Sequence, residues 1–515
     1  MAFACSGGGR PGLQRKPTTS MRRRTFLIAA AGALGTSVLA ACTPRPRPST
    51  SPSPTPSPTS TTQPPASAVP QPVSMLRSRW SVDPFALGAA SFAAVGSTSA
   101  NRDDLAAAID DRIFFAGEAT SRDDPGTVSG AMASGSRAAD EVISASPNSE
   151  RIGVIGAGVA GLTAARALLD AGYDVVVVEA RDRIGGRIDA RSGDSWPLAV
   201  DLGPTMIGDG DEALHSAVVA AGGDVVSFGR SDEVRTAAGV PVAASGVGAA
   251  AVADAVEWSS QQPHDVTLSL AIDQSSAGSL STTPDDAGVS DADWLVHQLD
   301  SVVQPRTSAA DDRLSAWNGG ATAPGDGVGG AIPLAGFGTF ADDLADGVDV
   351  LLRSVVTRVV TRNDRVSLRL RTGESLTVDR VIVTLPLGVL KSGSVVFEPE
   401  LPLPKARAVS ILGMGDSDRV WLRFDEPFWN TEATVWSTIA AGSPVGLWVN
   451  LLPDTGYPVL VGTVAAGEAA RLAVIDDDAT VLGELLASLE PFLDESKRVE
   501  AGGASTETAT PTPTP

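Results

Sequence analysis

Apolar and polar positions divide the chain into three regimes. Residues 43–74 are almost all Pro, Ser, Thr, Gln and Ala, with Ser-Pro repeats. Such a stretch cannot bury apolar surface and reads as an extended spacer. The tail, residues 496–515, reads as disordered for the same reason. Between them the pattern alternates strand and helix. Residues 151–155 form a short apolar strand, residues 162–171 a helix closed by Gly172, and residues 174–178 a β-branched, buried strand ending at Glu179. Further helices are expected over residues 129–143 and 340–344, and over 479–490 with Asp478 as N-cap and Pro491 beyond its end. Residues 144–150 read as a polar linker, and residues 420–424 and 457–464 as strands.

Composition narrows the function. The formal net charge is −22 and the pI about 4.5, which argues against nucleic acid, because phosphate backbones require basic patches. An acidic surface suits cationic substrates, and equally suits solubility alone. The two cysteines are Cys5 and Cys42, so residues 75–497 hold no disulfide. His215, His264 and His297 are scattered, and no metal site is expected.

The N-terminal region reads as a targeting signal. Arg22-Arg23-Arg24-Thr25-Phe26-Leu27 precedes an apolar run, residues 28–41, which ends in Leu39-Ala40-Ala41-Cys42. The first pattern resembles a twin-arginine export signal and the second a lipobox whose Cys42 receives lipid. The run is Ala- and Gly-rich and short for a membrane span. The expectation is export with a lipid anchor on the outer face of the bacterial cytoplasmic membrane, the lipid being the sole membrane contact. Residues 1–20 read as an upstream extension.

The chemistry begins at Gly156-Ala157-Gly158-Val159-Ala160-Gly161, directly after the strand 151–155. Gly156 permits the tight turn, Gly158 lets a pyrophosphate approach the helix N-terminus, and Gly161 allows close helix–strand packing. Glu179 follows Gly161 by 18 residues, where an acid binds ribose hydroxyls. Gly325-Asp326-Gly327-Val328-Gly329-Gly330 fits the same pattern but follows no strand, and reads as a loop.

Glu179-Ala180-Arg181-Asp182-Arg183-Ile184-Gly185-Gly186-Arg187 and Asp201-Leu202-Gly203 continue the run. Together with Phe114-Phe115-Ala116-Gly117-Glu118-Ala119-Thr120-Ser121, they make the chain resemble the flavin-containing amine oxidases. That resemblance implies an α/β fold, with a Rossmann-like FAD-binding domain intertwined with an α+β substrate domain. It implies non-covalent FAD, since Ala89 stands where a flavin-linking cysteine occurs in monoamine oxidases. It also implies a cofactor site at Gly156, Gly158, Ala160, Gly161, Glu179, Ala180, Arg181, Gly185, Gly186 and Arg187, continued by Gly203, Pro204, Thr205, Met206, Val356, Gly117, Glu118, Thr127 and Val128.

One feature breaks the family order. The Phe114–Ser121 motif and Trp80-Ser81-Val82-Asp83-Pro84-Phe85 come last in the family but precede the fingerprint here, each occurring once. The implied architecture is a circular permutant. Residues 75–211 and 331–404 form the FAD-binding domain, with 75–146 its displaced end. Residues 212–330 and 405–495 form the substrate domain, and residues near Trp80 lie close to the end of helix 479–490.

The resemblance implies hydride transfer from an amine carbon to flavin N5 and reoxidation by O2 to H2O2. Besides Ala89, two positions depart from the family. Arg419 stands where a lysine is usual, when Glu426-Pro427-Phe428-Trp429 is matched. Ala90 replaces a cage tyrosine, and Thr127 takes the second cage position. Arg419, Thr127 and Trp80 are the catalytic candidates. A related oxidase or desaturase acting on an amino acid or lipid-like substrate, and a flavin-binding protein without catalysis, remain alternatives.

Overall fold

The computed structural model describes residues 67–498, apart from 148, 324–327, 363 and 441. The signal including Cys42, most of the spacer, residues 499–515 and Gly325-Asp326-Gly327 of the second glycine pattern lie outside the described residues.

A five-stranded, wholly parallel sheet forms the first layer. Its order is Val350–Leu351, Asp174–Val178, Arg151–Ile155, Arg380–Val383, Ile113–Phe115. Its strands are apolar at nearly every position because both faces are covered. Val175 and Val177 join Ile152, Val154, Ile382 and Phe114 against the helices Val159–Asp170 and Val128–Ala145. Val176, Val178, Ile155, Val381, Val383 and Phe115 turn the other way, against Val356–Arg362, Arg365–Leu370 and Ser375–Val378. The period of two in strand side chains sorts one apolar run between two cores.

The second layer is a seven-stranded sheet in the order Ser74–Arg77, Ser417–Arg423, Val459–Ala465, Leu447–Asn450, Val435–Ile439, Asp232–Thr236, Pro241–Val242. All neighbours are antiparallel except Val435–Ile439 beside Asp232–Thr236. One face, with Val420, Leu422, Leu460 and Trp448, packs on the helix Asp478–Leu489. The other, with Trp421, Val461 and Val449, packs on Trp80, Leu198 and Leu202. The helices Val247–Ser260 and Leu268–Gln274 form a separate apolar cluster with Phe92.

Several expectations are corrected. The spacer does not extend to residue 74: Val69 is 1% exposed within the core, and Ser67 Oγ donates to Glu490 at 2.9 Å. Residues 75–77 belong to the seven-stranded sheet rather than to the dinucleotide side. The helix Leu403–Ile411, expected partly on the substrate side, packs through Ala408 on Leu105 of the helix Ser99–Ala106. The N-cap of Asp478–Leu489 is Asp477, whose carboxylate accepts from the amides of Ala479 and Thr480. Arg77 and Arg79 reach the start of that helix, bonding Asp478 and Asp476, while its end meets Ser67 and Ala68. The helix Val128–Ala145 takes in the first residues assigned to the linker.

Candidate functional site

The fingerprint makes its turn at the C-terminal end of Arg151–Ile155. Gly156 has φ +105°, and a Cβ there would lie 2.5 Å from Thr384 Oγ1. A Cβ on Gly161 would lie 2.0 Å from the Gly156 carbonyl oxygen, so the helix can start this close only without a side chain. Ala160 is buried beside it. Gly158 is the N-cap of Val159–Asp170 and offers no side chain to cap the first amides. No side chain caps those amides, which leaves them available for phosphate binding at a helix N-terminus.

Glu179, 6% exposed, straps this turn. Its Oε2 accepts from Ala157 N at 2.7 Å and its Oε1 from Arg181 N at 2.8 Å. Each oxygen keeps a further lone pair for a ribose hydroxyl. Ala180 is half-buried beside it, and Ser354 N donates to the Glu179 carbonyl at 2.8 Å, bringing the strand that opens at Val356 to this end of the site. Gly185 and Gly186, with φ +91° and +65°, bend the chain back so that Gly158 and Gly185 form a bridge.

Arg187 is the centre of the arrangement. Its Nη1 donates to Glu118 Oε1 at 2.8 Å and to the Ala89 carbonyl at 2.7 Å. Glu118, 4% exposed, also accepts from Ser91 Oγ at 2.6 Å and Gly126 N at 2.9 Å. Arg102 closes the network, donating to Ser91 Oγ at 2.8 Å and the Ala119 carbonyl at 3.0 Å. Burial alone would raise the Glu118 carboxyl. Arg187, the Ser91 and Arg187 hydrogen bonds and Arg102 outweigh it and hold the group below its ordinary value. Gly117 has φ +124°, and a Cβ there would meet nothing within 4 Å, so its backbone borders free space. That space is lined by Phe115, Gly117, Glu118, Arg187, Pro386 and Leu387.

The helix Val128–Ala145 begins beside this hub. Thr127 is its N-cap: its Oγ1 accepts from Gly130 N at 2.9 Å and donates to the Asp124 carbonyl at 2.8 Å. The hydroxyl is thus committed to the helix end, with Val128 as the first helical residue. Ala90 lies against Gly126.

Trp80 is 5% exposed, and its Nε1 donates to the Leu202 carbonyl at 2.9 Å, so its indole sits in the core beneath the Asp201-Leu202-Gly203 turn. Gly203 packs on the Arg187 carbonyl. Pro204 and Thr205 continue in irregular backbone, and Met206 packs against the Trp80 cluster. Asp201 is 2% exposed, and among the described residues its carboxylate accepts only from Phe337 N, at 3.2 Å; burial pushes its carboxyl up to about 8, with Asp189 adding to the rise. Arg419, in Ser417–Arg423, donates to Ser417 Oγ at 3.2 Å, and burial brings its guanidinium down to about 10.

Reading the sequence alone missed Ser91, Arg102 and Asp83. Asp83 pairs with Arg181 at 2.7 and 2.8 Å while that guanidinium lies over Trp80 and Phe85. Arg102 lies in a polar helix with no local signal; only the fold turns it inward. Among the described residues no group of three or more His, Cys, Asp or Glu is placed to hold a metal ion, and no helix is long and apolar enough to cross a membrane.

Open backbone at Gly117, uncapped amides after Gly158 and an acid strapping the turn fit a dinucleotide. Comparison with known proteins agrees. The model of the flavin containing amine oxidoreductases matches residues 61–143, 159–238 and 304–504. Probable polyamine oxidase 4 of Arabidopsis thaliana is 30% identical over 365 residues, 66% of this chain and 71% of that protein. Lysine-specific histone demethylase 2 of Homo sapiens is 26% identical over 377 residues, covering 67% and 44%. A putrescine oxidase solved with putrescine has a TM-score of 0.54 at 18% identity, over 68% of this chain and 82% of that one, a likeness of fold. The chain belongs to the flavin containing amine oxidoreductase family.

Proposed function

We propose that this protein, an FAD-dependent oxidoreductase of that family, oxidises the carbon–nitrogen bond of an amine with O2 as acceptor. The observation that carries the reading is Arg187, whose one nitrogen ties the Glu118 turn to the Ala89 carbonyl. Dinucleotide loop, Glu118 turn and the Ala89 segment meet there. FAD, when bound, would supply the redox chemistry: the amine gives up two electrons and two protons, one from the carbon beside the nitrogen and one from the nitrogen, to leave an imine, and O2 takes them up as H2O2. The chain's residues do the rest. The bare amides after Gly158 hold the pyrophosphate, and the free lone pairs of Glu179 take the ribose hydroxyls. The start of Val128–Ala145 would offer its positive dipole end to negative charge on a flavin bound beside the Glu118 turn. Glu179→Ala, measured by flavin release, weakens FAD about ten- to a hundredfold, the worth of a charge-assisted hydrogen bond. The decisive experiment mixes the FAD-loaded protein anaerobically with amines and amino acids while following flavin absorbance. Bleaching, then H2O2 on admitting air, supports the reading. Bleaching by dithionite and by no amine or amino acid overturns it in favour of a flavin-binding protein without catalysis.

Two further proposals concern organisation. The order of the Trp80 and Glu118 segments supports a circular permutant, in which the N-terminal part of the folded chain does the work of the family's last segment. Arg23-Arg24 and Cys42 support export by the twin-arginine route and lipid anchoring on the outer face of the cytoplasmic membrane. Cys42→Ser then releases the protein or blocks its processing; unchanged attachment and size refute the anchor.

A further inference from the structure

The arginines around the cofactor loop are paired. Arg181, Arg183 and Arg187 hold Asp83, Asp189 and Glu118 at 2.7, 3.2 and 2.8 Å. Arg419 differs. Among the described residues no carboxylate lies within ion-pair distance of its guanidinium, and its side chain makes one hydrogen bond, to Ser417 Oγ at 3.2 Å. The carboxylate next to it in the chain is committed elsewhere: Asp418 accepts from Ser78 Oγ at 2.8 Å and Trp80 N at 2.9 Å. Strand alternation sends Asp418 and Arg419 to opposite faces. Arg419 shares its face with Trp421, whose Nε1 donates to the Asp201 carbonyl at 2.9 Å and whose cluster holds Trp80, Leu202 and Ala89. Ala89 is the residue whose carbonyl Arg187 grips. A cation in such a wall is costly without an anion, and a guanidinium fork matches a carboxylate. A diamine would bring a second cation to the same wall.

We propose that Arg419 pairs with the carboxylate of the substrate, so that the amine oxidised is that of an amino acid rather than of a simple diamine. The inference rests on the amine-oxidising reading and names its substrate class. The amino acid loses two electrons and two protons to give an imino acid, O2 takes them up as H2O2, and water converts the imino acid to a 2-oxo acid and ammonia. Arg419 takes no proton; it fixes the carboxylate.

The test uses the FAD-loaded full chain and a pair of substrates differing only by the carboxylate, L-ornithine and putrescine. In anaerobic stopped flow, ornithine is expected to reduce the flavin at least tenfold more efficiently. Arg419→Met should weaken ornithine about a hundredfold, mainly in its apparent Kd; Arg419→Lys should recover part of the loss. Valerate, which cannot be oxidised, should raise the Tm of the wild-type protein and not that of Arg419→Met, with retention of the bound-flavin spectrum showing that the variant is folded. Putrescine reducing the wild type as well as ornithine does, or valerate acting equally on both proteins, overturns the proposal and leaves amine oxidation standing. Reduction by no amine or amino acid, with dithionite still effective, overturns both.

Discussion

At the scale of the residue, two buried carboxylates behave oppositely because one has cations and the other does not. Glu118 is held below its ordinary value once Arg187 and its hydrogen bonds outweigh burial. Its contribution is present above the unfolded value of 4.5 and is lost as pH falls through the depressed folded value. Glu118→Gln leaves Arg187 facing a neutral amide in a buried site. Urea unfolding at pH 7 should show a loss of about 3 kcal/mol, the lower end for breaking a buried pair, and a flatter acid limb. Asp201 lies at the other extreme, with its carboxyl near 8 against 3.8 unfolded. Between those values the folded chain binds a proton that the unfolded chain does not, so this group's contribution falls as pH rises through that window. Asp201→Asn keeps an acceptor for Phe337 N and should be more stable than wild type at pH 8 and similar near pH 4. Equal unfolding midpoints at pH 8 would refute the assignment.

At the scale of the element, the helices Val128–Ala145 and Val159–Asp170 lie close together because small residues face each other. A Cβ on Gly135 would sit 2.3 Å from the Ala160 carbonyl oxygen. Gly135→Val must push the helices apart, and overpacking of this kind costs about 1–3 kcal/mol. It also displaces Ser134, whose Oγ accepts from Gly117 N at 2.8 Å, and so disturbs the Glu118 turn. The expected outcome is a lower urea midpoint together with weaker FAD retention on gel filtration. Normal FAD retention with reduced stability would separate the helix contact from the site.

At the scale of the whole molecule, the chain crosses between the two sheets before the fingerprint is reached. Ser74–Arg77 pairs with Ser417–Arg423, and Ile113–Phe115 then lies beside Arg380–Val383. The folded ends are neighbours: Ser67 and Ala68 bond Glu490, and Arg77 bonds Asp478. Moving residues 67–146 behind residue 498 with a short linker should therefore give a protein that folds and binds FAD. The contacts are unchanged, and loop closure differs by about 1 kcal/mol for modest length changes. Deleting the segment should abolish FAD binding, since Glu118 and the start of Val128–Ala145 go with it. FAD retained by the deletion would refute the permuted arrangement.

What the sequence by itself determined was local. The strands 151–155 and 174–178, the glycine turn between them and Glu179 were legible because turn, helix start and β-branched run act within about thirty residues, the span of one βαβ unit. The family motifs were legible for the same reason. The tertiary structure alone decided which distant groups meet. It drew Val69 into the core despite a spacer-like composition, and tied Ser67 and Ala68 to Glu490, more than four hundred residues away. It turned Arg102 inward to Ser91, paired Arg181 with Asp83, and gave Trp80's indole nitrogen to Leu202. It also put no carboxylate of the described residues within ion-pair distance of Arg419, Asp418 being held by Ser78 and Trp80. Charge pairing depends on distances across sheets, and no local pattern of residues carries that information.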